Sequence, residues 1–187
     1  MLDLIIKNGK CYIDGELKDV DVAVKDKKIL EIGQISGEAK EIIDASSHTV
    51  LPGCIDTQTH FREPGSTDTE DLHSGSRAAI AGGITSVFEM PNTNPPTSNK
   101  KEFQRKLDLA KNRMYCNYAF YFGATADNAD DLASLKDLEG CCGIKLFAGS
   151  STGNLLVAEE DDIDKVFQNS SKVVAVHSED ELSLIHI

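Results

Sequence analysis

Basic residues are the scarce class in this chain of 187 residues: 19 Lys and Arg stand against 31 Asp and Glu, a formal net charge of −12. That balance argues against a nucleic-acid partner, because such binding rests on cations facing phosphates. Long apolar runs are also missing. None approaches the ~20 residues that a membrane span needs, and the opening Met-Leu-Asp-Leu-Ile-Ile-Lys has no signal-peptide core. Cysteine is sparse and uneven: the five at 11, 54, 116, 141 and 142 do not read as a disulfide framework. A soluble, cytoplasmic protein with no membrane partner is the expectation. The 40% hydrophobic and 27% charged residues that are present form a globular balance with enough apolar mass for a core. The length predicts one medium domain, or a small domain plus part of a larger one.

The first fifty residues carry short strand patterns separated by turn signals. Residues 4–13 are strand-like, Asp14-Gly15 marks a hairpin turn, residues 20–24 alternate, and residues 29–32 and 41–43 continue the pattern. These predict a small antiparallel β unit ending near His48. From Leu51 the rhythm changes. Apolar runs start near Cys54, Ile84, Asn117, Gly143 and Val173, spaced by about 26 to 33 residues, the size of a βα unit. Helical stretches lie between them: one after Thr67-Asp68 that stops at Gly82-Gly83, and one from Ser98 with Phe103, Leu107 and Ala110 on its core face. Residues 127–138 and 159–167 supply two more, each with acids in its first turn. Strand alternating with helix predicts a parallel α/β sheet, doubly wound or a (β/α)8 barrel. A barrel takes about 250 residues, so five strands predict its N-terminal part. Residues 182–187 carry neither a cap nor a turn, consistent with a truncated end.

Strand parity locates the chemistry. In Cys54-Ile-Asp-Thr-Gln-Thr-His60, alternation places Asp56, Gln58 and His60 on one face. Lys145 shares a face with Phe147 in an otherwise apolar strand, and His177 closes the apolar run 173–176. All three polar positions fall near C-terminal strand ends, where barrel active sites form. A strand-end histidine more often bonds a backbone carbonyl than a metal, and a lone strand lysine is usually solvated. An inward lysine breaks that pattern, since a buried unpaired ammonium costs several kcal/mol. Together the three point to a metal site.

The segment Leu51-Pro-Gly-Cys-Ile-Asp-Thr-Gln-Thr-His-Phe-Arg-Glu-Pro-Gly65 resembles the first metal motif of dihydroorotases in the amidohydrolase superfamily. Met90-Pro-Asn-Thr-Asn-Pro95, Gly143-Ile-Lys-Leu-Phe147 and Val176-His-Ser-Glu-Asp180 follow in the matching order and spacing. The resemblance implies a small composite β-sandwich domain over 1–50 and a truncated TIM (β/α)8 amidohydrolase barrel over 51–187. His60 is similar to the second histidine of the strand-one pair, and His177 to the fifth-strand histidine ligand. Lys145 is similar to the lysine whose carboxylated form bridges two divalent metals, usually zinc. Arg62 and Asn92 are similar to residues that hold the substrate's carboxylate. The match departs at Gln58, where the family pattern has histidine; an amide oxygen is a neutral and weaker ligand than imidazole. The general acid–base aspartate implied by the family is expected beyond residue 187, so this stretch alone is expected to be inactive.

The activity so implied is metal-dependent interconversion of N-carbamoyl-L-aspartate and dihydroorotate in pyrimidine biosynthesis. A hydantoinase- or allantoinase-type cyclic amidase is the alternative, with Arg62 and Asn92 as the features against it. A non-catalytic scaffold for aspartate carbamoyltransferase is a third reading, kept open by Gln58; a homo-oligomer also stays open. Gly149-Ser-Ser-Thr-Gly153 lacks the Gly-Lys-Ser/Thr ending of a P-loop and reads as the loop after the fourth barrel strand, at the mouth of the site. His186 stands too close to His177 to be a further family ligand.

Overall fold

A computed structural model describes residues 1–151, 153–179 and 183. The chain divides into two compact units, Met1–Pro52 and Gly53–Ile187. The first contains strands β1 (Leu2–Lys7), β2 (Lys10–Ile13), β3 (Glu16–Asp19), β4 (Asp21–Lys25), β5 (Lys28–Gly33), β6 (Ala39–Asp44) and β7 (Thr49–Val50). The run expected as one strand is split at Asn8, which takes a left-handed φ of 60°. Asp14 and Gly15, with φ of 53° and 86°, form the tight hairpin between β2 and β3, as two-residue turns with both φ positive do.

These strands make two sheets, ordered β5-β4-β1-β6 and β3-β2-β7. The unit is not purely antiparallel: β1 pairs with β6, and β2 with β7, in parallel. Those partners are distant in sequence, so local alternation holds no trace of their pairing. Ile5, Ala23 and Ile35 form a small core.

The second unit runs β8 (Cys54–Thr59), α1 (Leu72–Ala81), β9 (Ile84–Glu89), α2 (Lys100–Ala110), β10 (Asn117–Gly123), a 3₁₀ helix (Ala126–Leu135), β11 (Cys141–Phe147), α3 (Glu160–Asn169) and β12 (Val174–His177). Its five strands are parallel and ordered β12-β11-β10-β9-β8. This is the half-barrel that the strand spacing predicts.

Caps set the helix starts. Asp71 and Ser74 form a reciprocal capping box, so α1 begins at Leu72 instead of just after Asp68; Thr69 and Glu70 turn back onto Ser66. The stretch expected as a helix over 127–138 is 3₁₀ and ends at Leu135. It is rich in Asp, Asn and Ser, which compete for backbone hydrogen bonds and favour turns over α-helix. The core lies between strands and helices and includes Leu72, Phe103, Phe120, Phe122, Ile144 and Leu146. Each large side chain buried there stabilises the fold by about 1.5–3 kcal/mol. Because side chains alternate, Tyr121, Lys145 and Phe147 emerge on the opposite face of β10 and β11.

Candidate functional site

The site is assembled at the C-terminal ends of the parallel strands. His60 follows directly on β8, and its Nδ1 lies 2.9 Å from Oδ1 of Asn92, in the loop after β9. An amide oxygen only accepts, so Nδ1 carries the hydrogen and Nε2 keeps its lone pair. Burial pushes the His60 pKa down; the bond to Asn92 opposes this, while the charges of Arg62, Lys145 and Lys106 reinforce it. The neutral imidazole is the form that binds a metal.

Two loops meet beside this histidine. The Pro64 carbonyl accepts from the Asn94 N–H at 3.0 Å. Gly65 passes so close that a Cβ would stand 2.9 Å from the Asn94 Cβ, and its φ is 122°; glycine is required on both counts. Glu63, buried next to Arg62, accepts two bonds from Arg113 (2.7 and 3.1 Å) and one from the Leu72 N–H (3.0 Å). That anchor fixes the loop and leaves the exposed Arg62 guanidinium at a cavity of about 430 Å³, shared with Ser66, Asn92, Thr93, Asn94 and Gly153. Among the described residues that line it, Arg62 is the one charged group. Gly153 places the loop after β11 at this mouth, as expected from the sequence.

The other side is built from packing. Lys145 is 3% exposed, with no hydrogen bond or ion pair among the described residues. Its ammonium stands 4.8 Å from the centre of the Phe147 ring, and desolvation pushes its pKa down. Phe147 lies opposite His177 in the ladder, with ring centres 6.1 Å apart, so one aromatic ring links the lysine to the histidine. His177 Nε2 is 3.3 Å from Oε2 of Glu179, a carboxylate able to orient the imidazole. Gly143 makes this crowding feasible: a Cβ there would meet the Val173 carbonyl at 2.8 Å and the Tyr121 ring at 2.9 Å.

Two positions depart from the parity argument. The β8–β9 ladder shifts between Asp56, paired with Val87, and Thr59, paired with Glu89. Three steps on β8 oppose two on β9, so strict alternation from Asp56 to His60 is broken. Asp56 accepts from the Gln58 backbone N–H at 2.9 Å. Gln58 is exposed, and its side chain makes no hydrogen bond among the described residues. Asp180, Thr152, Leu182 and His186 lie outside the described residues. All five cysteines are free thiols.

Among the described residues no three His, Cys, Asp or Glu side chains gather as a metal cluster. The donor chemistry nonetheless fits a divalent metal: two imidazoles at strand ends, and on β11 an amine buried with no anion beside it among the described residues. Addition of carbon dioxide to that amine would turn a costly buried cation into an anionic oxygen ligand.

Sequence reasoning passed over the pair behind the site. Lys106 and Glu89 are both fully buried and ion-paired. Burial pushes the Glu89 carboxyl up to about 8 and the Lys106 amine down. A signal was available: Lys106 stands three residues after Phe103, and the buried positions of α2 are Phe103, Lys106 and Ala110. Leu107, expected on that face, is half-buried.

Comparison with known proteins agrees with this layout. Residues 49–176 match the amidohydrolase family. An allantoinase of Escherichia coli O1:K1 is 42% identical over 149 residues, which cover 79% of this chain and 33% of that protein. The L-hydantoinase (dihydropyrimidinase) of Arthrobacter aurescens superposes with a TM-score of 0.90 at 29% identity, over 100% of this chain and 43% of that one. The dihydropyrimidinase of Brevibacillus agri gives a TM-score of 0.82 at 26% identity, over 100% and 42%. The chain thus spans about a third of the length of the curated relatives it matches.

Proposed function

The chain belongs to the amidohydrolase family, and from that premise we propose that it forms the metal-binding and substrate-entry half of a cyclic amidase of the allantoinase and hydantoinase type. The observation that carries the reading is Lys145: a buried ammonium with no anionic partner among the described residues, on one face with Phe147. In this reading Lys145 is carboxylated and, with His60 and His177, holds one or two zinc ions; Gln58 offers an amide oxygen as a weaker fourth donor. The bound metal supplies activation of water and polarisation of the ring amide carbonyl. Asn92 holds the His60 ring in one tautomer and keeps its own amide N–H groups for a ring carbonyl or carboxylate in the cavity. Arg62 neutralises and orients the polar edge of the substrate.

A specific observation favours the second reading, dihydroorotase. Arg62 and Asn92 line one cavity with no acid among its described walls, which suits a ring bearing a carboxylate. The names of the relatives support the first reading, and the cavity's charge supports the second.

Assay of the full-length protein with zinc and bicarbonate on allantoin, hydantoin and dihydroorotate separates them. The expected result is opening of one of these rings, accompanied by a carbamate carbon resonance on Lys145. Failure to open any of the three, with metal bound, overturns the proposal.

A further inference from the structure

The buried pair Lys106–Glu89 lies on the helix side of the sheet, where a metal-site mechanism makes no use of it. Stability does not call for it, since well-packed apolar residues of similar volume serve as well as a buried ion pair or better. Its connections are informative. Lys106 Nζ donates to the Met90 carbonyl at 3.0 Å, and the Met90 N–H donates to the Thr59 carbonyl at 2.9 Å. Met90 is therefore clamped between α2 and the residue that precedes His60. Beyond it, the Pro91 carbonyl accepts from the N–H groups of Thr93 and Thr97 at 2.8 and 2.9 Å. The next residue is Asn92, whose Oδ1 takes the His60 hydrogen. Glu89, which ends β9, pairs in register with Thr59 and holds the lysine head in place.

We propose that Lys106, steadied by Glu89, is a positioning residue that clamps the Met90 carbonyl and thereby keeps Asn92 bonded to His60, with His60 Nε2 left as the open nitrogen. Its significance for metal binding rests on the function proposed above; the placement of Asn92 and His60 does not. A lysine is suited to the task because its ammonium can serve the carbonyl and the carboxylate together, which a methionine of similar length cannot.

The test is ¹⁵N spectroscopy of the histidine ring nitrogens in the metal-free, full-length protein. Wild type, Lys106→Met and Asn92→Ala are compared, with a Lys106→Met/Glu89→Leu double variant that leaves no buried charge unpaired should the single variant not fold. The wild-type His60 ring is expected as the single Nδ1–H tautomer. Asn92→Ala and the Lys106 variants are each expected to give a mixture of tautomers while their melts stay cooperative. Zinc affinity should fall about 10- to 100-fold, as for other losses of a ligand's supporting shell. A wild-type His60 pattern in folded Lys106 variants, or in Asn92→Ala, overturns the proposal. Lost tautomer order in a protein whose wild type opens no ring amide supports the clamp and overturns only the functional reading.

Discussion

His60 and Lys145 sit at the same end of the parallel sheet, one just after β8 and the other on β11; a hydrogen bond holds the first, and among the described residues only packing holds the second. Around His60 the polar groups are tied: Asn92 to the ring, Glu63 to Arg113 and Leu72, and Pro64 to Asn94. Around Lys145 the neighbour that meets the ammonium is the Phe147 ring, and no acid among the described residues answers its charge. A tied histidine is ready in the resting chain. An untied buried ammonium is a cost carried until another chemical group joins it. The first arrangement secures geometry, and the second stores a chemical vacancy.

Lys145→Met gives the sharpest break in that contrast. The full-length protein should lose its metal and all measurable ring opening. The metal-free protein should be more stable by about 1–3 kcal/mol, because a thioether replaces a desolvated cation. Metal analysis and thermal melts check both; a variant that keeps wild-type metal content sinks the assignment of Lys145.

Arg62→Ala comes next. Removing a charge-assisted contact should cost on the order of 2–4 kcal/mol in kcat/KM for a ring acid such as dihydroorotate. Rings without the acid should be little affected. Equal losses on both substrates would make Arg62 structural and leave the hydantoinase-type reading ahead.

A smaller effect comes from Lys106→Met, read as stability against pH. A wild-type pair that keeps one proton between its two groups, the count in the unfolded chain, contributes a term that is flat near neutrality. The variant leaves Glu89, raised by burial to about 8 even beside the lysine, to hold a proton that the unfolded chain releases near the ordinary carboxyl value. A raised folded pKa means stability present at low pH and lost as pH rises. The variant's deficit should therefore grow between pH 5 and 8, by up to about 1.4 kcal/mol per unit. Denaturant melts across that range check it; a pH-independent deficit would show that Glu89 is ionised in the variant.

The smallest change is expected from Gln58→His, which replaces an amide oxygen with an imidazole and should tighten metal binding in calorimetric titration. Unchanged affinity and stoichiometry would place position 58 outside the site, as the shifted ladder on β8 makes testable.

Several of these features were legible in the one-dimensional pattern because their physics is local. Five apolar runs at βα spacing announce a parallel sheet, and a period of two puts Lys145 with Phe147 and His177 at strand ends. Asp14-Gly15 names its own hairpin. Where the controlling contact is distant, local pattern fails. The bulge opposite β9 took Asp56 out of step with His60, and the capping box at Asp71 moved the start of α1.

What the sequence determined by itself is therefore the alternation of strands and helices and the half-barrel they form, since side-chain periodicity and turn propensity act between near neighbours. The tertiary structure decided the rest: the parallel pairing of β1 with β6, the cavity shared by Arg62 and Asn92, the tautomer of His60 and the clamp of Lys106 on Met90. Each of these joins residues from separate elements, and desolvation together with hydrogen-bond geometry sets its energy only once packing has brought the partners within reach.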